Sequence, residues 1–218
     1  MDNQTDTTVI AESFTDKEIF TKIWTSPRAV IKYINDNKYE KFVAILLILA
    51  GIARAFDRAS NKDMGDTYSL WTIIGICVVL GGSLGWIAFY IYAYLVSWTG
   101  KWLKANGDQK SILRVLAYAM IPIIVALLLV IPQIGIYGIE VFKSDGDITS
   151  AGLVPNIFFY GSMILELVLA IWTLVLCVVG ISEVQKLSKG NAILNLLLPV
   201  LIIAVPILLL TMFFSLFN

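Results

Sequence analysis

The chain has 218 residues, of which 58% are apolar and 15% charged, with 16 Lys and Arg balanced by 16 Asp and Glu and a mean hydropathy of +0.82. Soluble domains are roughly 45–50% apolar with about a quarter charged, so one core cannot hide this much apolar surface and the chain reads as a membrane protein. The charge balance offers no basic excess for a nucleic-acid partner, and the lack of histidine argues against zinc, haem and Ser-His-Asp chemistry, so no cofactor, metal or catalytic residue is expected.

Residues 1–41 form a polar N-terminal segment without a short apolar region and small-residue cleavage site, so the first span is expected to act as its own insertion signal. Residues 1–12 are expected to be disordered. Over 15–36 two amphipathic helices are predicted. Thr15 and Glu18 have the spacing of a capping box, and Ile19, Phe20, Ile23 and Trp24 then share one face. Ser26-Pro27 reads as an N-cap followed by proline at the first helical position. In that second helix Val30, Ile31, Tyr33 and Ile34 face one way and Arg28 and Lys32 the other. Such a pattern suits the headgroup layer, and it equally suits packing against the protein's own cytosolic loops.

Residues 42–218 hold five stretches with the length and apolarity of membrane spans, at about 42–56, 68–98, 115–139, 157–181 and 192–217. The first survives if Arg54 lies near its exit and snorkels to the interface. The second has no charge and is longer than a perpendicular crossing needs, so tilt or a bend is expected near Gly81, Gly82 and Gly85. Pro122, Pro132, Pro199 and Pro206 are expected to kink rather than end their helices. Cys77 and Cys177 lie in apolar runs, where a thiol behaves as a small hydrophobe.

Orientation follows from the basic residues. Lys17, Lys22, Arg28, Lys32, Lys38 and Lys41 precede span one, Lys101, Lys104, Lys110 and Arg114 follow span two, and Lys186 and Lys189 follow span four. The other side carries only Arg54, Arg58, Lys62 and Lys143. The N-terminus is therefore expected in the cytosol and the C-terminus outside.

Among candidate sites Glu166 stands out, because an ionisable group deep in a span is costly unless paired, protonated or wet. It reads either as a proton- or cation-handling group, with Gln133 or Arg54 as neighbour, or as a polar tie between helices. Gly81 and Gly85 have the GxxxG spacing that lets helices approach closely, within one bundle or in a homo-oligomer. Trp98, Trp102, Tyr68 and Trp71 suit an aromatic belt, while Tyr90, Tyr92 and Tyr94 lie deeper and need hydroxyl partners. The basic loop from Lys101 to Arg114 suits topology, anionic lipid or an acidic partner.

Taken in order, Trp24, Pro27 and Arg28 before the first span, Gly51 within it, Gly100-Lys101-Trp102 leaving the second, and Ala117, Tyr118 and Pro122 opening the third resemble the Yip family of Ypt/Rab-interacting proteins, from about Phe20 to the end. The resemblance implies an all-α polytopic fold of five transmembrane helices with a cytosolic N-terminus, and a non-enzymatic membrane-organising or scaffold role. Eukaryotic members are associated with Rab-type GTPases and traffic between endoplasmic reticulum and Golgi. This chain lacks their Asp-Leu-Tyr-Gly-Pro type signature and is more similar to the prokaryotic branch, so GTPase binding does not carry over residue by residue. A bacterial cytoplasmic membrane is expected, with endoplasmic reticulum or Golgi the alternative. Trp24, Pro27, Arg28, Lys101 and Trp102 are the candidate docking residues for a cytosolic protein. A small transporter or channel component using Glu166 is the competing reading.

Overall fold

The computed structural model describes residues 13–215, and the disorder expected of residues 1–12 lies outside them. Two short helices, α1 (Asp16–Lys22) and α2 (Pro27–Asp36), precede α3 (Val43–Asn61) and α4 (Leu70–Gly100). α5 (Gln109–Ala119), α6 (Ile121–Tyr137), α7 (Leu153–Gln185) and α8 (Lys189–Ser215) follow. The architecture is all-α among the described residues.

The capping box of α1 is present: the Glu18 N–H donates to the Thr15 hydroxyl at 3.3 Å, and the Thr15 N–H donates to the Glu18 carboxylate at 2.9 Å. Ser26 occupies the N-cap of α2 without a side-chain cap bond, and Pro27 supplies the first-turn backbone angle that starts the helix. In the structure the apolar faces of both helices are packed against the protein. Ile19 and Ile23 of α1 and Val30, Ile31 and Ile34 of α2 are fully buried, in one cluster with Ile112, Val115 and Leu116 of α5 and Ile181 and Val184 of α7. The helices therefore dock on their own bundle, and Arg28 and Lys32 stay on the exposed face. Lys41 and the Tyr39 hydroxyl bind the Asp16 carboxylate, tying α1 to the start of α3.

α3 runs past the predicted end at residue 56 because no helix breaker intervenes before Asp63, which adopts a left-handed backbone at φ 50°. Arg54 is thus inside the helix rather than at its exit. At 19 residues α3 is ~28 Å long, close to the bilayer core, and it reaches from the Leu46, Leu47 and Ala50 cluster to one containing Phe56 and Ala59 at the far end.

Its partner is α4, against which it packs backbone to backbone. A Cβ on Gly51 would lie 2.8 Å from the Gly85 Cα and meet the Gly81 carbonyl, and one on Gly81 would lie 2.7 Å from the Ala55 Cβ. The Gly81/Gly85 pair therefore serves packing within this chain. α4 is one continuous helix through Gly81, Gly82 and Gly85.

The third predicted span is two helices. Ala119 ends α5, Met120 caps both elements, and Pro122, lacking an N–H, sits in the first turn of α6. α5 is amphipathic and buries Ile112, Val115 and Leu116, whereas α6 is apolar up to Pro132 and carries Gln133 and Tyr137 in its last turns. Pro132, Pro199 and Pro206 lie inside continuous helices. α7 extends beyond both predicted ends, and its last two turns form the platform for α2. There Val115 occupies the space that a side chain on Gly180 would need.

Leu70–Leu103, Gln109–Phe142, Leu153–Gln185 and Lys189–Phe213 are long and apolar enough to cross a membrane. α3 is not in this set, because Arg54, Asp57 and Arg58 crowd its second half. At the far end the connection after α3 and the connection after α6 close on each other. Ser60 donates to the Val141 carbonyl at 3.0 Å, Ser144 to Asp66 at 2.7 Å, and Phe56 stacks at 6.2 Å on Phe142.

Two outcomes follow. Gly51→Ala should destabilise by about 1–3 kcal/mol through overpacking, whereas Gly75→Ala, with nothing within 4 Å of the new methyl, should be neutral or better; thermal unfolding in detergent distinguishes them. The Thr15 N–H, then Lys22 and the Thr15 hydroxyl, hold Glu18 down to about 2, and the Lys41 hydrogen bond, then Tyr39, lowers Asp16. Carboxylates with depressed values stabilise the fold above their unfolded values and lose that contribution as pH falls through the folded ones. Hydrogen-exchange protection in α1, relative to the intrinsic rate at each pH, should therefore fall as pH drops from about 4.5 towards 2, before that of α4.

Candidate functional site

α3, α6 and α7 enclose a cavity of about 410 Å³ whose walls are mostly apolar, with Leu127 and Val130 from α6 and Met163 and Leu167 from α7. Its polar members converge from three helices. Gln133 is brought inward one residue after Pro132 and is 6% exposed. Its Nε2 donates to Ser162 Oγ at 2.8 Å and to Glu166 Oε1 at 2.8 Å. Ser162 and Glu166 are four residues apart, so one face of α7 presents both. The Ser162 hydroxyl donates to the Phe159 carbonyl at 2.9 Å. Asp57, Ser60 and Asn61 of α3 complete the polar lining.

Glu166 is thus half-buried and hydrogen-bonded, with a second carboxylate, Asp57, lining the same cavity. Two carboxylates around a space of this size can hold a cation or exchange a proton. The amide tie between α6 and α7 performs a structural task at the same time. Of the two neighbours considered for Glu166, the structure places Gln133 on it. Arg54 turns to α4, its guanidinium 4.2 Å above the Phe89 ring in a cation–π contact. Asp57 was missed because the predicted span ended one residue before it; continuing the helical period to Asp63 exposes it.

The docking candidates fall in two places. Trp24 packs on the bundle core, Pro27 opens α2, and Arg28, with its side chain 82% exposed, donates from Nε to Glu183 at 2.9 Å. Lys186 reaches the same carboxylate at 3.0 Å. Lys101 and Trp102 project exposed from the 3-10 turn after α4, where Trp102 meets Trp98 edge-on at 5.1 Å. Beneath that turn is a buried network that sequence reasoning did not identify. Thr99 donates to Asn195 at 2.8 Å, the Asn195 amide donates to Gln185, and Gln185 donates to the Val96 carbonyl at 3.4 Å. A side chain on Gly100 would collide with Gln185 at 2.6 Å, which explains a glycine there. Farther along α4, the Tyr92 hydroxyl finds the Leu196 carbonyl at 2.8 Å. Among the described residues no group of three or more Cys, Asp or Glu side chains is placed to hold a metal ion.

The Yip1 domain profile matches residues 21–210, from within α1 to near the end of α8. The chain belongs to the Yip1 domain family. Neither the curated proteins nor the solved structures contain a match. The Yip1 match covers α2 and all but the last three residues of the four apolar segments, so this is an all-α membrane protein of that family. In this Yip1 domain the corner formed by α2 and α7 and the groove between α3, α6 and α7 are separate features of one bundle.

Glu166→Gln keeps an acceptor for the Gln133 amide and should fold like the parent. Gln133→Leu strands the carboxylate and should cost about 1–3 kcal/mol. Folded yield and unfolding temperature in detergent provide the comparison.

Proposed function

We propose that the protein is a non-enzymatic five-span scaffold of the Yip type, with its N-terminus in the cytosol and its C-terminus outside, presenting a cytosolic face to a protein partner. The observation that carries this reading is the docking of α1 and α2 on the ends of α5 and α7. It buries their apolar sides and leaves Lys17, Arg28 and Lys32 as an exposed basic face on a fixed platform. Family membership supports the membrane-organising role, and the run from one bundle end to the other supports α3 as the fifth span. The proposed membrane domain is 42–218, the proposed cytosolic segment 1–41, and the proposed location the bacterial cytoplasmic membrane, with endoplasmic reticulum or Golgi the alternative. Because α3 occupies the Gly81/Gly85 face, a homo-oligomer would have to form through another surface.

Topology is tested by single cysteines at Lys38 and Lys62, just outside the two ends of α3. A five-span protein labels from opposite sides of the membrane, and labelling from the same side removes α3 from the spans. For the partner, a photoreactive residue at Lys32 should give one discrete protein adduct, lost on Lys17→Glu with Arg28→Glu, while Trp24, packed on the core, serves as the intramolecular control. An adduct pattern unchanged by charge reversal counts against the basic face.

The cavity holding Asp57 and Glu166 favours a second reading, a small cation- or proton-coupled transporter. Under that reading Glu166→Gln abolishes proton-dependent flux in liposomes while the protein still folds.

A further inference from the structure

On the opposite side of α3 from the carboxylate cavity, and nearer the docked helices, is a second groove of about 510 Å³ between α3, α4 and α5. We propose that it binds one anionic phospholipid, with the phosphate held by Lys110 and Arg114 and the upper acyl chain against the apolar wall. The inference rests on α3 and α4 lying in the bilayer and is independent of any protein partner.

The lining is polarised. Glu40, Lys110 and Arg114 supply the charges, while Val43, Leu47 and Ile48 of α3 and Trp86 of α4 supply an apolar floor. Glu40 lies just before α3, and from Val43 to Ile48 the helix rises ~8 Å, about the thickness of a headgroup layer. Trp86 and Tyr90 of α4 flank the groove.

The decisive residue is Arg114. It is 3% exposed, and its Nη2 donates to Glu40 at 2.9 Å, but Nε and Nη1 are buried without a hydrogen-bond partner. A guanidinium has five N–H donors and cannot shed its charge, so a buried one with unanswered nitrogens lacks an acceptor. Phosphate oxygens match that fork. Glu40, 64% exposed in its side chain, can release its single bond to Arg114 as the anion arrives, and Lys110 is exposed at the mouth to meet it. With one acidic and two basic side chains in the wall, the groove favours an anionic over a zwitterionic headgroup. The apolar floor favours a lipid over soluble phosphate.

Native mass spectrometry of the whole protein in detergent with phosphatidylglycerol or phosphatidylcholine tests the proposal. One phosphatidylglycerol should be retained in preference, weakened about fivefold by Lys110→Gln and lost in Ala44→Trp, which fills the groove from an exposed position. Arg114→Gln should abolish retention; since its burial endangers folding, the other two variants carry the test. Equal retention of both lipids, or retention unchanged by Lys110→Gln and Ala44→Trp, overturns the proposal. Displacement of the lipid by millimolar inorganic phosphate would also overturn it, by showing a soluble-anion site.

Discussion

The structure depends on the contact between α3 and α4 at Gly51, Gly81 and Gly85, where two backbones meet with no side chain between them. Between apolar helices in hydrocarbon the hydrophobic effect offers no attraction, so association relies on close packing and polar ties. That packing has a particular consequence here. α3 carries Arg54, Asp57 and Arg58 and is the least apolar of the long helices, so its place in the bundle is secured by α4 rather than by its own hydropathy. Arg54 over Phe89 belongs to the same interface. α3 then forms one wall of both cavities, with the carboxylates on one side and the Arg114 groove on the other.

Polar ties complete what packing begins. Gln133 joins α6 to α7, Asn195 joins α8 to α4 and α7, and Tyr92 reaches the backbone of α8. These contacts hold α8 at its first turns, beside Ala192 and Asn195, and leave most of its length as an apolar face suited to lipid. Each tie satisfies a group that would otherwise be expensive in a medium without water. Arg114 departs from that pattern, since two of its nitrogens remain unanswered by protein.

The N-terminal helices convert the bundle end into a surface. Had they been held only by the headgroup layer, their basic residues would have had no fixed relation to one another. Docked on α5 and α7, with Arg28 on Glu183 and Asp16 on Lys41, they form part of the same rigid arrangement as the long helices. The Yip1 match begins at the last residues of α1, so α2 belongs to the matched domain together with the membrane segments.

Much of the fold is legible in the amino-acid sequence. The apolar content required helices in a membrane, since lipid leaves backbone groups no other partner, and the Thr15/Glu18 and Ser26-Pro27 signals located the starts of α1 and α2 because capping is local. The family was legible from the order of Trp24, Pro27, Arg28, Gly51, Gly100-Lys101-Trp102 and Pro122. The boundary at Met120 was not, because hydropathy does not fall where α5 gives way to α6. Nor was Asp57 beside Glu166, since the two meet across α3 and α7 and no periodicity within one helix reports a neighbour on another. Local rules and the chemistry of lipid determined which segments are helical; only the packing of α3 on α4, α5 and α6 and of α6 on α7 decided which polar residues share a cavity, because those pairings depend on shape between helices far apart in the chain.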